Sequence, residues 1–215
     1  GMTSVAGDAF KKSSGSQTAF TDEVQYNWGG EIGFMFPQKD FNLRLGLEVI
    51  HPQKLTLEGK SAAGTKLMTL ESSIYGYFPV LHLEFYGLKS TIGRAFISFG
   101  GGYGQVKVVN SYTLTTAGTT QYVGVTDYSE RISQYTSLAE ASLGYELYFA
   151  NSSTVIFDMG YRYSKADSFE HNDAATTFNG SVNSGDDALN SDDKKRALDL
   201  SGAFIGLGLR FYFNF

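Results

Sequence analysis

The closing stretch, residues 203–215, alternates too strictly to be anything but a strand. One set, Ala203, Ile205, Leu207, Leu209, Phe211, Phe213 and Phe215, has no polar side-chain atom. The other set, Phe204, Gly206, Gly208, Arg210, Tyr212 and Asn214, is small, aromatic or polar. A period of two places these sets on opposite faces of a β-strand. The same rhythm runs through residues 28–36, 42–49, 67–86, 94–103, 135–149 and 155–163. Short turns at 37–40, 87–90 and 150–153 alternate with long polar connections at 51–66, 110–133 and 164–196. Strands joined this way form an antiparallel meander with tight turns at one end and long loops at the other. Seven strands are clear. An even count needs an eighth, and the polar start, residues 1–23, holds the only candidate, a weak strand near Thr3 to Phe10. The fold expected is all-β: a single domain over residues 1–215, folded as a closed up-and-down antiparallel transmembrane β-barrel of eight strands.

Composition limits the alternatives. Phe (17) and Tyr (14) are abundant, as is Gly (25), which favours pleated structure. A net charge of −5 argues against a nucleic-acid partner, and the absence of cysteine excludes disulfides and thiolate chemistry. No apolar run is long enough for a transmembrane helix. An exported protein of this kind would carry a signal peptide ahead of this sequence.

The sense of the two faces follows from where the charges fall. Lysines sit in loops, turns and strand ends, with Lys107 alone near a strand, whereas the mid-strand cations are Arg44, Arg94, Arg162 and Arg210. These share the polar face with Glu31, Glu48, Glu84, Glu140, Glu146 and Asp158, and with His82. Arginine suits enclosed, bidentate pairing with carboxylates. The same face is rich in glycine (Gly46, Gly100, Gly102, Gly104, Gly144, Gly160, Gly206, Gly208), as expected where side chains converge inside a narrow barrel. The expectation is therefore a polar lumen filled by ion pairs, with the apolar face turned to lipid. A basic charge on that outer face would cost about 2–4 kcal/mol at mid-bilayer.

Residues 144–149 (GYELYF), 157–163 (FDMGYRY) and the closing 206–215 (GLGLRFYFNF) resemble the small Gram-negative outer-membrane β-barrel family, and 99–103 (FGGGY) is similar to its glycine-rich strand. The resemblance implies an outer-membrane, porin-like protein. Its partners would be outer-membrane lipid, lipopolysaccharide and the barrel-assembly machinery, which would read Leu209, Phe211, Phe213 and Phe215 as an assembly signal. It also implies a monomer that acts through its surface loops.

Catalysis is not expected. The carboxylates are interleaved with arginines, which reads as structural pairing rather than acid–base chemistry. No His/Asp/Glu spacing matches a metal site, no phosphate-binding loop is present, and no cofactor is implied. The acidic stretch carrying Asp167, Glu170, Asp173, Asp186, Asp187, Asp192 and Asp193 lacks the spacing of a calcium loop and reads as solvated. The functional expectation is adhesion, envelope interaction or structural anchoring through loops that meet an extracellular ligand. The alternatives are a narrow pore for small solutes and a soluble, lipocalin-like ligand-binding barrel.

Overall fold

The computed structural model of the chain describes residues 2–5, 25–52, 55–150, 152–178, 180–189 and 194–212. The principal strands are β1 (Met2–Val5), β2 (Gln25–Pro37), β3 (Asn42–Pro52), β4 (Leu55–Lys60), β5 (Lys66–Lys89), β6 (Gly93–Leu114), β7 (Tyr128–Ala150) and β8 (Ser153–Ala166). Four short strands follow, β9 (Glu170–His171), β10 (Ala175–Thr177), β11 (Gly180–Val182) and β12 (Leu198–Asp199), before β13 (Gly202–Phe211). A single helix among the described residues, α1 (Thr116–Gln121), joins β6 to β7, and Thr115 caps it by accepting a bond from the Gly118 amide. The main sheet runs β1-β2-β3-β5-β6-β7-β8, with β13 on β8, β4 on β5 and β9 on β7; β10 and β11 form a sheet of their own.

Strand reaches into the long connections at 51–66 and 110–133. β4 pairs with β5 as a hairpin within 51–66, and β6 and β7 run on to Leu114 and back from Tyr128. The threonine, valine and serine content of these stretches fits a pleated surface, and the neighbouring ladder was ready to be extended.

Along the long strands one face stays buried while its chemistry changes. On β5, Met68, Leu70, Ile74, Phe78 and Val80 are buried, and the same face continues as His82 and Glu84, also buried. Interior packing is thus apolar at the loop end, where Ile50, Leu57, Leu67, Val106, Val108, Ile132 and Leu138 join it, and charged at the turn end. The outer face changes in the opposite sense. At the turn end it presents Ile32 (78 % exposed), Phe34, Leu143, Phe157, Met159, Ile205 and Leu207 (73 %). Tyr77, Tyr103, Tyr135, Tyr161 and Tyr163 stand exposed where the outer face changes, and Tyr103 stacks on Tyr135 at 5.9 Å.

The sheet curls strongly, so that side chains from strands far apart in the ladder meet: Arg162 of β8 binds Glu48 of β3, and Arg210 of β13 binds Glu84 of β5. β1 comes close to β13. Closing a barrel, however, takes a ladder between first and last strands. The described ladders pair β1 with β2 and β13 with β8, and none joins β1 to β13. Four residues of β1 face the ten of β13, too few to occupy its free edge. The closed eight-stranded transmembrane barrel is therefore corrected to a curled open sheet of many more strands beside a small second sheet. The readings that required closure fall with it: a plugged or porin-like lumen, an outer-membrane location, outer-membrane lipid and lipopolysaccharide as partners, and handling by the barrel-assembly machinery. Among the described residues no helix is long and apolar enough to cross a membrane.

Candidate functional site

The concave face at the turn end gathers the charged residues picked out by alternation into one network. Arg162 donates from Nη2 to Glu48 and from Nε to Glu140 Oε1 at 2.5 Å. His82 Nε2 stands 4.0 Å from Glu140 Oε2 and 3.8 Å from Glu31 Oε2. Glu31 accepts from Arg44 Nη1 at 2.9 Å, and Arg44 Nε lies 3.2 Å from Glu84 Oε1. Arg210 continues the chain, reaching Glu84 at 2.5 Å and Glu146 Oε2 at 3.4 Å, and Arg94 closes it on Glu146 at 2.8 Å. Asp158 shares the face without a described ion pair, its carboxylate lying over Gly206, where a Cβ would meet Oδ1 at 1.9 Å.

Strand geometry explains the convergence. Arg44, His82, Gly100 and Glu140 are successive cross-strand partners on β3, β5, β6 and β7, so their side chains stand in one row across the concave face. Gly100 leaves the space His82 occupies, since a Cβ there would sit 2.2 Å from Nδ1 of the ring. Gly46 does the same for Glu31, and Gly144 for the ring of Phe96.

Further side chains complete the network around Glu146. Tyr86 donates to Glu146 at 3.1 Å and accepts from Asn42 at 2.8 Å, while the Arg94 guanidinium lies 3.6 Å above its ring. Thr154 donates to Glu146 at 2.6 Å, and the Tyr212 hydroxyl also donates to Glu146. Tyr86 and Tyr212 lie two residues beyond Glu84 and Arg210, so the period of two puts them on this same face, whereas Thr154 lies just ahead of the alternating run 155–163 and is not singled out by it. Of the proposed assembly signal, Leu209 and Phe211 are exposed on the outer face, at 66 % and 62 %; Phe213 and Phe215 lie outside the described residues.

Burial and neighbours set the protonation states. Burial pushes Glu48 up to about 7 against the pull of Arg162, and Glu140 and Glu31 add to the rise. Burial also raises Glu31, offset by Arg44, and raises Asp158. His82 is held down to about 3 by burial and by Arg44, Arg162 and Arg210, so its imidazole is neutral at ordinary pH. Glu146 goes the other way. Burial opposes its charge, yet hydrogen bonds from Arg94, Thr154 and Tyr212 hold it at about 2.

The network leaves capacity unused. Among the described residues Glu48 Oε2, Glu84 Oε2, His82 Nε2 and Ser98 Oγ are buried without a hydrogen-bond partner. Buried polar atoms in this condition call for ordered water or a ligand. Glu31 and Arg44 keep 20 % and 23 % of their side-chain surface accessible, so solvent reaches the network. Among the described residues no group of three or more His, Cys, Asp or Glu side chains could hold a metal ion. In the acidic stretch, Asp187 pairs with Lys195 at 2.9 Å and Asp173 with Arg131 at 3.3 Å. Asp192 and Asp193 lie outside the described residues.

No family model matches this chain, and no curated protein matches it. The resemblance to the Gram-negative outer-membrane family is corrected accordingly. The motifs that carried it are short alternations of aromatic, glycine and apolar residues, which any strand with one apolar face can show.

Proposed function

We propose that the chain is a non-catalytic ligand-binding β-sheet protein whose concave charged face takes a small organic cation, an ammonium or guanidinium group. The observation that carries this reading is the pair of buried, unpartnered carboxylate oxygens on Glu48 and Glu84, on the same concave face as the neutral ring of His82. Six carboxylates (Glu31, Glu48, Glu84, Glu140, Glu146, Asp158) share the face with four guanidinium groups (Arg44, Arg94, Arg162, Arg210), leaving an excess of negative charge. Burial raises Glu48 to about 7, and the nearby charges of Glu140 and Glu31 add to the rise, so this carboxyl takes up a proton readily near neutral pH. A bound cation would take the proton's place and donate to the idle oxygens.

The test is calorimetric titration with methylguanidinium, in buffers of different ionisation enthalpy near neutral pH, with acetate as the anionic control. Methylguanidinium should bind with proton release, and Glu48→Gln should abolish the release and weaken binding by about tenfold or more. Binding of acetate in preference to the cation, or no heat from either, would overturn the reading.

A further inference from the structure

A second buried charge cluster lies at the opposite, loop end, outside the network above. Glu130 of β7 accepts through Oε1 from Asn110 at 3.0 Å, from the Tyr112 hydroxyl at 3.1 Å and from Arg196. Its Oε2 stands 4.0 Å from His171 Nδ1. Both atoms are buried and without a hydrogen-bond partner among the described residues. Arg196 and His171 belong to a stretch, described over residues 167–178, 180–189 and 194–200, that folds back over the apolar interior. Phe169, Ala188, Leu198 and Leu200 are all buried in the core. The segment is tied down by the ladder of β9 on β7, by β12 on β8, and by the bond from the Ala188 amide to the Phe169 carbonyl.

We propose that Glu130, Arg196 and His171 form an acid-released latch that holds the described residues of 167–200 over the loop end of the sheet. At neutral pH the latch is closed. Arg196 neutralises Glu130, and the imidazole is uncharged because burial, aided by Arg196, holds its pKa below the ordinary value against Glu130 and Asp186. The other groups facing the cluster do not reverse this. Tyr112 and Tyr128 are pushed far up by burial and stay protonated, and Arg131 is engaged with Asp173 at the surface.

Acid acts on both ends of the latch in the same direction. A histidine whose folded pKa is depressed contributes stability above its unfolded value of 6.5, and that contribution is lost as pH falls. Burial works against the charge of Glu130, yet Arg196 and the bond from Asn110 hold its pKa below 4.5; its contribution is likewise lost in acid. In the lifted segment water solvates the imidazolium, so the open form binds the proton more readily. Lifting exposes the apolar interior beneath Phe169 and Leu200.

Hydrogen exchange of the whole chain tests this, comparing residues 167–200 with β13 near neutral pH and near pH 5, after correction for intrinsic rates. Opening of the segment should increase by up to about tenfold for each pH unit below the unfolded histidine value, while β13 protection stays constant. His171→Gln should flatten the dependence above about pH 5, whatever its effect on absolute protection. Glu130→Gln should open the segment at both pH values. Opening that does not change with pH in the wild type, or an unchanged slope in His171→Gln, would overturn the latch; equal loss of protection in β13 would also overturn it, as that is global unfolding.

Discussion

Arg162 shows what a single residue does in this interior. Its guanidinium joins Glu48 to Glu140 and faces the Phe204 ring at 5.7 Å, so it links β3, β7, β8 and β13. Burying such a group is costly, and the cost is offset only because two carboxylates share it. Two neighbours then make opposite contributions to the pH profile. Glu48, raised from 4.5 to about 7, adds stability that is complete below pH 4.5 and is lost as pH rises through 7. His82, lowered from 6.5 to about 3, adds stability present above 6.5 and lost as pH falls through 3. Between 4.5 and 6.5 the two oppose each other. Denaturant unfolding across this range should show a shallow wild-type profile, with each slope on the order of 1 kcal/mol per pH unit once uncovered. Glu48→Gln should lose stability towards acid, and His82→Gln should lose it towards alkali. The same slope in both variants would contradict these assignments.

At the scale of the element, β6 shows how a strand makes room for charge. Its concave positions 100, 102 and 104 are glycine, and a Cβ at Gly102 would lie 2.4 Å from the Pro79 carbonyl oxygen. Gly101, on the other face, has nothing nearer than the Leu138 carbonyl oxygen at 3.4 Å. Gly100→Val should therefore cost about 1–3 kcal/mol by displacing His82 from its row, while Gly101→Ala should change stability little. Thermal unfolding of both variants tests this, and equal effects would show that the concave face has slack. Much of this was legible beforehand: the period of two assigns Arg94, Gly100, Glu140 and Arg210 to one face without any structure. The composition of 110–133 admits a β extension, but where β6 and β7 end was not legible, because a strand in threonine, serine and valine is chosen by the neighbour that completes its ladder.

Over the whole molecule, burial changes its chemical meaning from one end to the other. Leu200, at the end of the folded-back segment, is fully buried, whereas Leu207, a few residues later, is 73 % exposed. Leu200→Ala should cost about 2–5 kcal/mol in denaturant unfolding, and Leu207→Ala less than about 0.5 kcal/mol. Comparable losses would mean that the outer apolar face is packed within the monomer. The latch cluster belongs to this scale as well. Glu130 and Arg196 lie 66 residues apart, and nothing periodic connects them. Arg196 sits in an irregular acidic stretch, and only the folding back of residues 167–200 brings it to Glu130.

The sequence by itself determined the strands and their two faces, because a side-chain period of two is a local property of extended backbone. It also determined which charged residues could meet, since those on one face of neighbouring strands have no other direction to point. Tertiary structure decided how far the strands extend, whether the ladder closes, and what the long segments do. Those outcomes depend on hydrogen-bond partners and packing surfaces supplied from elsewhere in the chain. Among the described residues β1, with four residues beside the ten of β13, leaves the ring of ladders open, and the stretch after β8 packs inward because Phe169 and Leu200 find an apolar interior to enter.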